Sequence, residues 1–304
     1  MWAVVVEAFS SPEFLTGLRW GGITATVALV VGIVWGRRRG RPAPVAGLAA
    51  VTAAIVAMPI VRAFNANLLV GLGLLIVAGA AFQWTRRVPF LTVLAAVPGA
   101  WLIGGSDLPR SGGVVSLVLL VIAFGGPVIS WFDEDANGSP LPTLLFALAA
   151  AGVWVTVPDT EEALVLLGAI VAPTLLAWPL RTARLGAIGI HALVGVFLWV
   201  IVWGGRGRAG SIVGAAAALG MLIAAPLAAW IAKKTTVTTA GRAGLSLLVL
   251  HVLVVALVTR VAGLKTGAPD AALIAAPVVV AAMLLWLFIE RRLAVATPNL
   301  IGSN

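Results

Sequence analysis

Two histidines stand inside long apolar runs, His191 in GAIGIHALVG and His251 in SLLVLHVLVV. Imidazole titrates near neutral pH, so each could relay a proton, bind a polar substrate or ligate a metal. Zinc asks for three or four ligands, and no Asp, Glu or Lys lies near the middle of any run. No metal and no cofactor are therefore expected. The bland reading of each histidine is a neutral, buried, hydrogen-bonded side chain, and the functional one is a place on a substrate path. Gly125, Gly126 and Pro127 in FGGPVIS are the third feature of this kind. Proline removes one backbone hydrogen bond and crowds the preceding turn. In lipid, the carbonyl so released needs a protein or water partner. The triplet is either a hinge or broken helix beside a path, or an ordinary kink. Arg62, Asn65 and Asn67 lie in RAFNAN at the predicted outer face, as do Asp159, Glu161 and Glu162. They would either line an outer vestibule for a polar substrate or be hydrated loop residues, and the second is the plainer account.

The segment WFDEDANGSPLP, residues 131–142, begins like a calcium loop, with Asp133, Glu134, Asp135, Asn137 and Gly138 in sequence. Such a loop closes with a bidentate carboxylate at its twelfth position. Counted from Asp133 that position is Leu144. Asn-Gly-Ser-Pro is turn chemistry, with glycine free to take positive φ and proline opening the next helix. A solvated turn that binds no metal is expected, with contact to a basic partner as the alternative.

The elements that must hold these residues follow from composition. Hydrophobic residues make up 61% of the 304 and charged residues 10%, against about 25% charged in an ordinary soluble domain. Apolar runs of 17 to 22 residues recur, the length that crosses a ~30 Å hydrocarbon core as helix. The expected fold is all-α, a single integral membrane domain over 1–304 with eleven transmembrane helices and no soluble domain. The spans fall near 16–36, 44–61, 66–84, 88–104, 112–130, 140–157, 162–180, 185–203, 210–231, 243–262 and 270–289.

The lipid bilayer is the expected environment, with other membrane subunits as further partners. The net charge of +9 lies in clusters between runs, which orients a membrane protein and does not suggest nucleic acid. With the N-terminus outside, the inner face receives thirteen of the twenty Lys and Arg, including Arg37, Arg38, Arg39, Arg86, Arg87, Arg181 and Arg184; seven remain. That asymmetry predicts an outer N-terminus and an inner C-terminus, with Arg206 and Arg208 dissenting. MWAVVVEAF has no basic residue ahead of its apolar run, so no cleaved signal peptide is expected. Seventeen arginines against three lysines point to a GC-rich prokaryote, and the location expected is its plasma (inner) membrane.

Residues 35–59 and 203–226 share Trp-Gly, Gly-Arg and proline landmarks, seven spans apart. An odd offset would make that repeat inverted, as in many secondary transporters, although Ala/Val/Gly-rich helices also align by accident. Nine tryptophans near span ends read as an interfacial belt. The absence of cysteine excludes disulfides and thiolate catalysis. No G-x-S-x-G and no large outer acidic loop is present, so intramembrane hydrolysis and glycosyl transfer have little support. Haem held by His191 and His251 would rest on two residues alone. The first functional expectation is a transporter or flippase-like permease for an organic or lipid-linked substrate, its path passing Gly125, Gly126, Pro127, His191 and His251. The alternative is a non-catalytic subunit of a membrane assembly, and an intramembrane enzyme comes last.

Overall fold

The first helix starts on a local signal. Ser11 Oγ accepts the Phe14 N–H at 3.1 Å, Pro12 takes the first helical position, and Glu13 sets a negative charge in the first turn. In the computed structural model this helix, α1, runs from Pro12 to Arg39. The structure describes residues 6, 9–39, 44–61, 65–84, 89–104, 126–127, 129–134, 141–156, 161–180, 182, 184–204 and 222. The further helices are α2 (Val45–Val61), α3 (Ala66–Trp84), α4 (Pro89–Gly104), α5 (Leu141–Thr156), α6 (Glu161–Ala177) and α7 (Gly186–Gly204). Residues 126–127 and 129–134 are helical too, and no strand occurs among the described residues.

The helices match the expected runs closely at most ends. α1 begins earlier than expected because Ser11 and Pro12 mark its start. α2, α4 and α6 continue through Pro59, Pro98 and Pro173. Residues 112–125 and 128 of the fifth expected span, the last three expected spans except Leu222, and the partner half of the suggested repeat except 203, 204 and 222 lie outside the described residues. Two helical stretches, Pro12–Gly32 and Ala66–Gln83, are long and apolar enough to cross a membrane.

Glycine decides how the helices meet. A Cβ on Gly17 would strike the Val165 carbonyl, and one on Gly168 would strike the Phe14 carbonyl. Gly21 lies against Ala172 at 3.1 Å. Gly17 and Gly21 therefore face Gly168 and Ala172, so α1 and α6 run parallel with their backbones in near contact. Gly47 packs on Gly189 and Pro44 on Gly186, in the same order along both segments, so α2 is parallel to α7. α3 runs antiparallel to α4 through Gly71 and Gly99, and antiparallel to α7 through Gly79 and Ala187. Thr24 adds an interhelical bond, its hydroxyl donating to the Ala49 carbonyl at 2.9 Å.

The interior is formed by α6 and α7. Every residue from Gly189 to Ile201 is buried, and so is every residue from Glu162 to Ile170. Glu162 is only 3% exposed, which corrects its reading as a hydrated loop residue; Glu161 beside it is exposed. The outside is apolar: Val27, Val30, Val31 and Val34 on α1, Leu69, Val70 and Val77 on α3, and Leu94 and Trp101 on α4 are all exposed.

Candidate functional site

Helix α7 begins at Arg184-Leu185-Gly186, which offers no Ser, Thr, Asn or Asp to cap it. Its cap comes from far along the chain. Asp133 Oδ1 accepts the Leu185 N–H at 3.0 Å, and Oδ2 accepts the Gly186 N–H at 2.9 Å. A carboxylate suits this position because unpaired N–H groups and the helix dipole both favour negative charge there. Gly186 is obligatory on two counts: its φ is +67°, and a Cβ would stand 2.8 Å from Pro44. The same connection serves α2, whose Gly47 N–H donates to the Arg184 carbonyl at 3.1 Å.

Asp133 is 1% exposed, not part of a solvated turn as expected. Helical residues 129–134 carry Asp133 inward, where the uncapped start of α7 takes up its carboxylate; the rest of the expected turn, 135–140, lies outside the described residues. Burial raises the Asp133 pKa above its usual 3.8 and outweighs the two N–H bonds and nearby Arg184, which pull it down; Glu134 pushes it further up. Both carboxylate oxygens already hold N–H donors. Among the described residues, no group of three or more His, Cys, Asp or Glu could hold a metal.

His191 lies five residues beyond Gly186, about 8 Å along the helix axis at 1.5 Å per residue. It therefore lies in the N-terminal half of α7, about midway between the helix start and its centre. Nδ1 lies 2.7 Å from the Ala187 carbonyl, so it carries the proton and donates, leaving Nε2 as an acceptor. His191 is 1% exposed, and Nε2 has no hydrogen-bond partner among the described residues. Gly126 covers that nitrogen so closely that a Cβ there would stand 2.6 Å from it. The Phe82 ring flanks the imidazole at 6.3 Å, and the Trp131 ring lies 6.0 Å from Phe82. One turn after Gly126, the buried Ser130 hydroxyl donates to the Gly126 carbonyl at 2.7 Å.

The structure thus joins two of the expected path residues, Gly126 and His191, with Pro127 buried beside them. Gly126 and Pro127 are helical, not unwound. Asn65 and Asn67 are exposed at the far end of α3, about 22 Å along the axis from Phe82. Asn65 has a structural task there, its Oδ1 accepting the Leu68 N–H at 2.7 Å as the helix cap. Arg62, Gly125 and His251 lie outside the described residues. Asp133, Ser130 and Phe82 were not singled out as path residues. The one clue to Asp133 was the missing local cap of α7; nothing in the sequence marks Ser130 or Phe82. Comparison of the chain with protein-family models, curated proteins and solved structures finds no match.

Proposed function

We propose that the chain is a multi-pass helical membrane protein of about eleven spans, N-terminus outside and C-terminus inside, in a prokaryotic plasma membrane. Its function on this reading is that of a transporter or flippase-like permease for an organic or lipid-linked substrate. The exposed valines and leucines of α1, α3 and α4 support the membrane setting, since lipid is the solvent in which such flanks are stable. The permease reading is carried by His191, a buried imidazole with an unpartnered Nε2 in an apolar interior. An ionisable side chain is costly inside a membrane and is a pointer to a substrate path or proton relay. The assembly-subunit reading draws on a different observation, the exposed apolar stripe Val27, Val30, Val31 and Val34, which a neighbouring membrane subunit could cover.

The natural absence of cysteine makes the test direct. Ser130→Cys and His191→Cys each create one thiol at the site, and Val30→Cys and Val77→Cys create thiols on the exposed flanks. In sealed membrane vesicles, a membrane-impermeant maleimide is expected to label the first pair from one side and to leave the second pair unlabelled. Failure to label residues 130 and 191 from either side would rule out the permease and leave the assembly subunit.

A further inference from the structure

Helix α1 is longer than the helices it packs on. It has 28 residues, about 42 Å at 1.5 Å per residue, against 17 residues and about 26 Å for each of α2 and α6. One end is flush. Gly17 packs on Val165 and Gly21 on Gly168 and Ala172, which brings Pro12 about level with Glu161 at the start of α6. At the other end, Ala28 and Leu29 pack against a cluster of Val45, Ala46 and Ala177, the first residues of α2 and the last of α6. Residues Val30 to Arg39 therefore run about 15 Å past the ends of both neighbouring helices. Val30, Val31 and Val34 are exposed on this overhang. Helical spacing places Arg37 and Arg38 on the same face, one turn further on. We propose that the overhang of α1 is a docking surface for anionic phospholipid, the acyl chains lying along Val27, Val30, Val31 and Val34 and the negative headgroup meeting the turn formed by Arg37, Arg38 and Arg39. The inference rests on the membrane reading and is independent of the permease.

Length favours a lipid as the occupant. A hydrocarbon core is about 30 Å thick, and a bilayer with its headgroups about 40–45 Å. α2 and α6 match the core, whereas α1 matches the whole bilayer. The apolar stretch Pro12–Gly32 is long enough for the core, so Ile33 to Arg39 fall at headgroup level, where α2 and α6 have already ended. Charge then selects among headgroups. Three arginines end α1, and its only acid is Glu13, at the opposite end. The C-terminal pole of the helix dipole, about half a negative charge, leaves that positive excess largely intact. Basic residues immediately beyond a membrane span attract anionic lipid in this way. A protein covering the stripe would have to present an apolar face and then acids one turn later. A phospholipid has that order of parts built in, an apolar chain below a charged head.

The natural lack of cysteine again supplies the test. Full-length protein with one fluorophore-labelled cysteine, Val31→Cys or Leu69→Cys, is reconstituted in phosphatidylcholine vesicles. Leu69 is exposed near the start of α3, at the opposite end of the bundle. A minor fraction of the lipid is brominated on its chains, either phosphatidylglycerol or phosphatidylcholine, and the ratio of the two quenching efficiencies reports local enrichment of the anionic lipid. Enrichment of about fivefold is expected at residue 31, what one arginine at headgroup level provides, and none at residue 69. Combined Arg37→Gln, Arg38→Gln and Arg39→Gln should abolish it, and so should about 1 M salt on the otherwise unchanged protein, by screening. Equal quenching by the two lipids at residue 31, or enrichment that survives both the glutamines and the salt, would overturn the proposal. Quenching at residue 69 but by neither lipid at residue 31 would overturn it in favour of a protein covering the stripe. Absence of quenching at both positions would remove the membrane reading along with it.

Discussion

Asp133 does at a distance what Ser11 and Asn65 do locally, since all three oxygens satisfy N–H groups at a helix start. The distant cap is the more demanding because its carboxylate is buried. Asp133→Ala would strand two N–H groups, and a loss of about 2–4 kcal/mol is expected in thermal or denaturant unfolding. Asp133→Asn should lose less, because its carbonyl oxygen still accepts one of them. The pH dependence has a definite sign. The folded-state pKa lies above the usual 3.8 because of burial, so the contribution is fully present below 3.8 and is lost as pH rises through the raised value. Comparison of melting temperatures across that window should show a fall in the parent protein that is absent in Asp133→Asn. His191 makes a separate case. Its only described bond is to the Ala187 carbonyl of its own helix, so His191→Leu strands no distant partner. Stability should change by less than about 1 kcal/mol, since an apolar group of similar size leaves nothing unsatisfied. Loss of transport by a well-folded His191→Leu protein would assign the imidazole to function, and retention would remove it from the path.

Among the helices, glycines divide into those in contact and those in open space. Gly17 and Gly168 have a neighbouring backbone where a Cβ would be, whereas Gly22 and Gly73 have nothing within 4 Å. Gly17→Ala and Gly168→Ala should each destabilise by about 1–3 kcal/mol, as overpacking does. Gly22→Ala and Gly73→Ala should be neutral or stabilise by up to about 1 kcal/mol through helix propensity. Parallel melts of the four variants in detergent would check this, and equal effects at all four would contradict the parallel α1–α6 contact. Small residues at four-residue spacing recur in the sequence, most plainly at Gly210, Gly214 and Ala218, which lie outside the described residues. The four-residue spacing of Gly17–Gly21 and Gly168–Ala172 was equally visible, but spacing says only that a face is small. Which face it meets depends on the other thirty or so glycines, and no local rule ranks those pairings.

For the whole molecule, an exposed apolar surface separates a membrane setting from an aqueous one by measurement. Val30 is 60% exposed on α1. In water, replacing such a valine by lysine changes stability by about 0.5 kcal/mol or less, whereas near a bilayer centre it costs about 2.5–3.5 kcal/mol. Val30→Lys is therefore expected to reduce membrane insertion or folded yield sharply; an unaffected variant would contradict the membrane reading. The all-helical character of the described residues, and most of their helix ends, were already decided by the sequence. Apolar run length, proline, glycine and capping residues act within a few neighbours, so Ser11-Pro12-Glu13 and Asn65 could be read without knowing what surrounds them. The folded arrangement alone decided that α1 lies on α6, that His191 sits under Gly126, and that Asp133 is buried. Each of those depends on groups brought together from distant parts of the chain, 52 and 53 residues apart for the Asp133 bonds. The free energy of burying a carboxylate depends on which N–H groups meet it there, and a run of acids carries no record of its eventual partners.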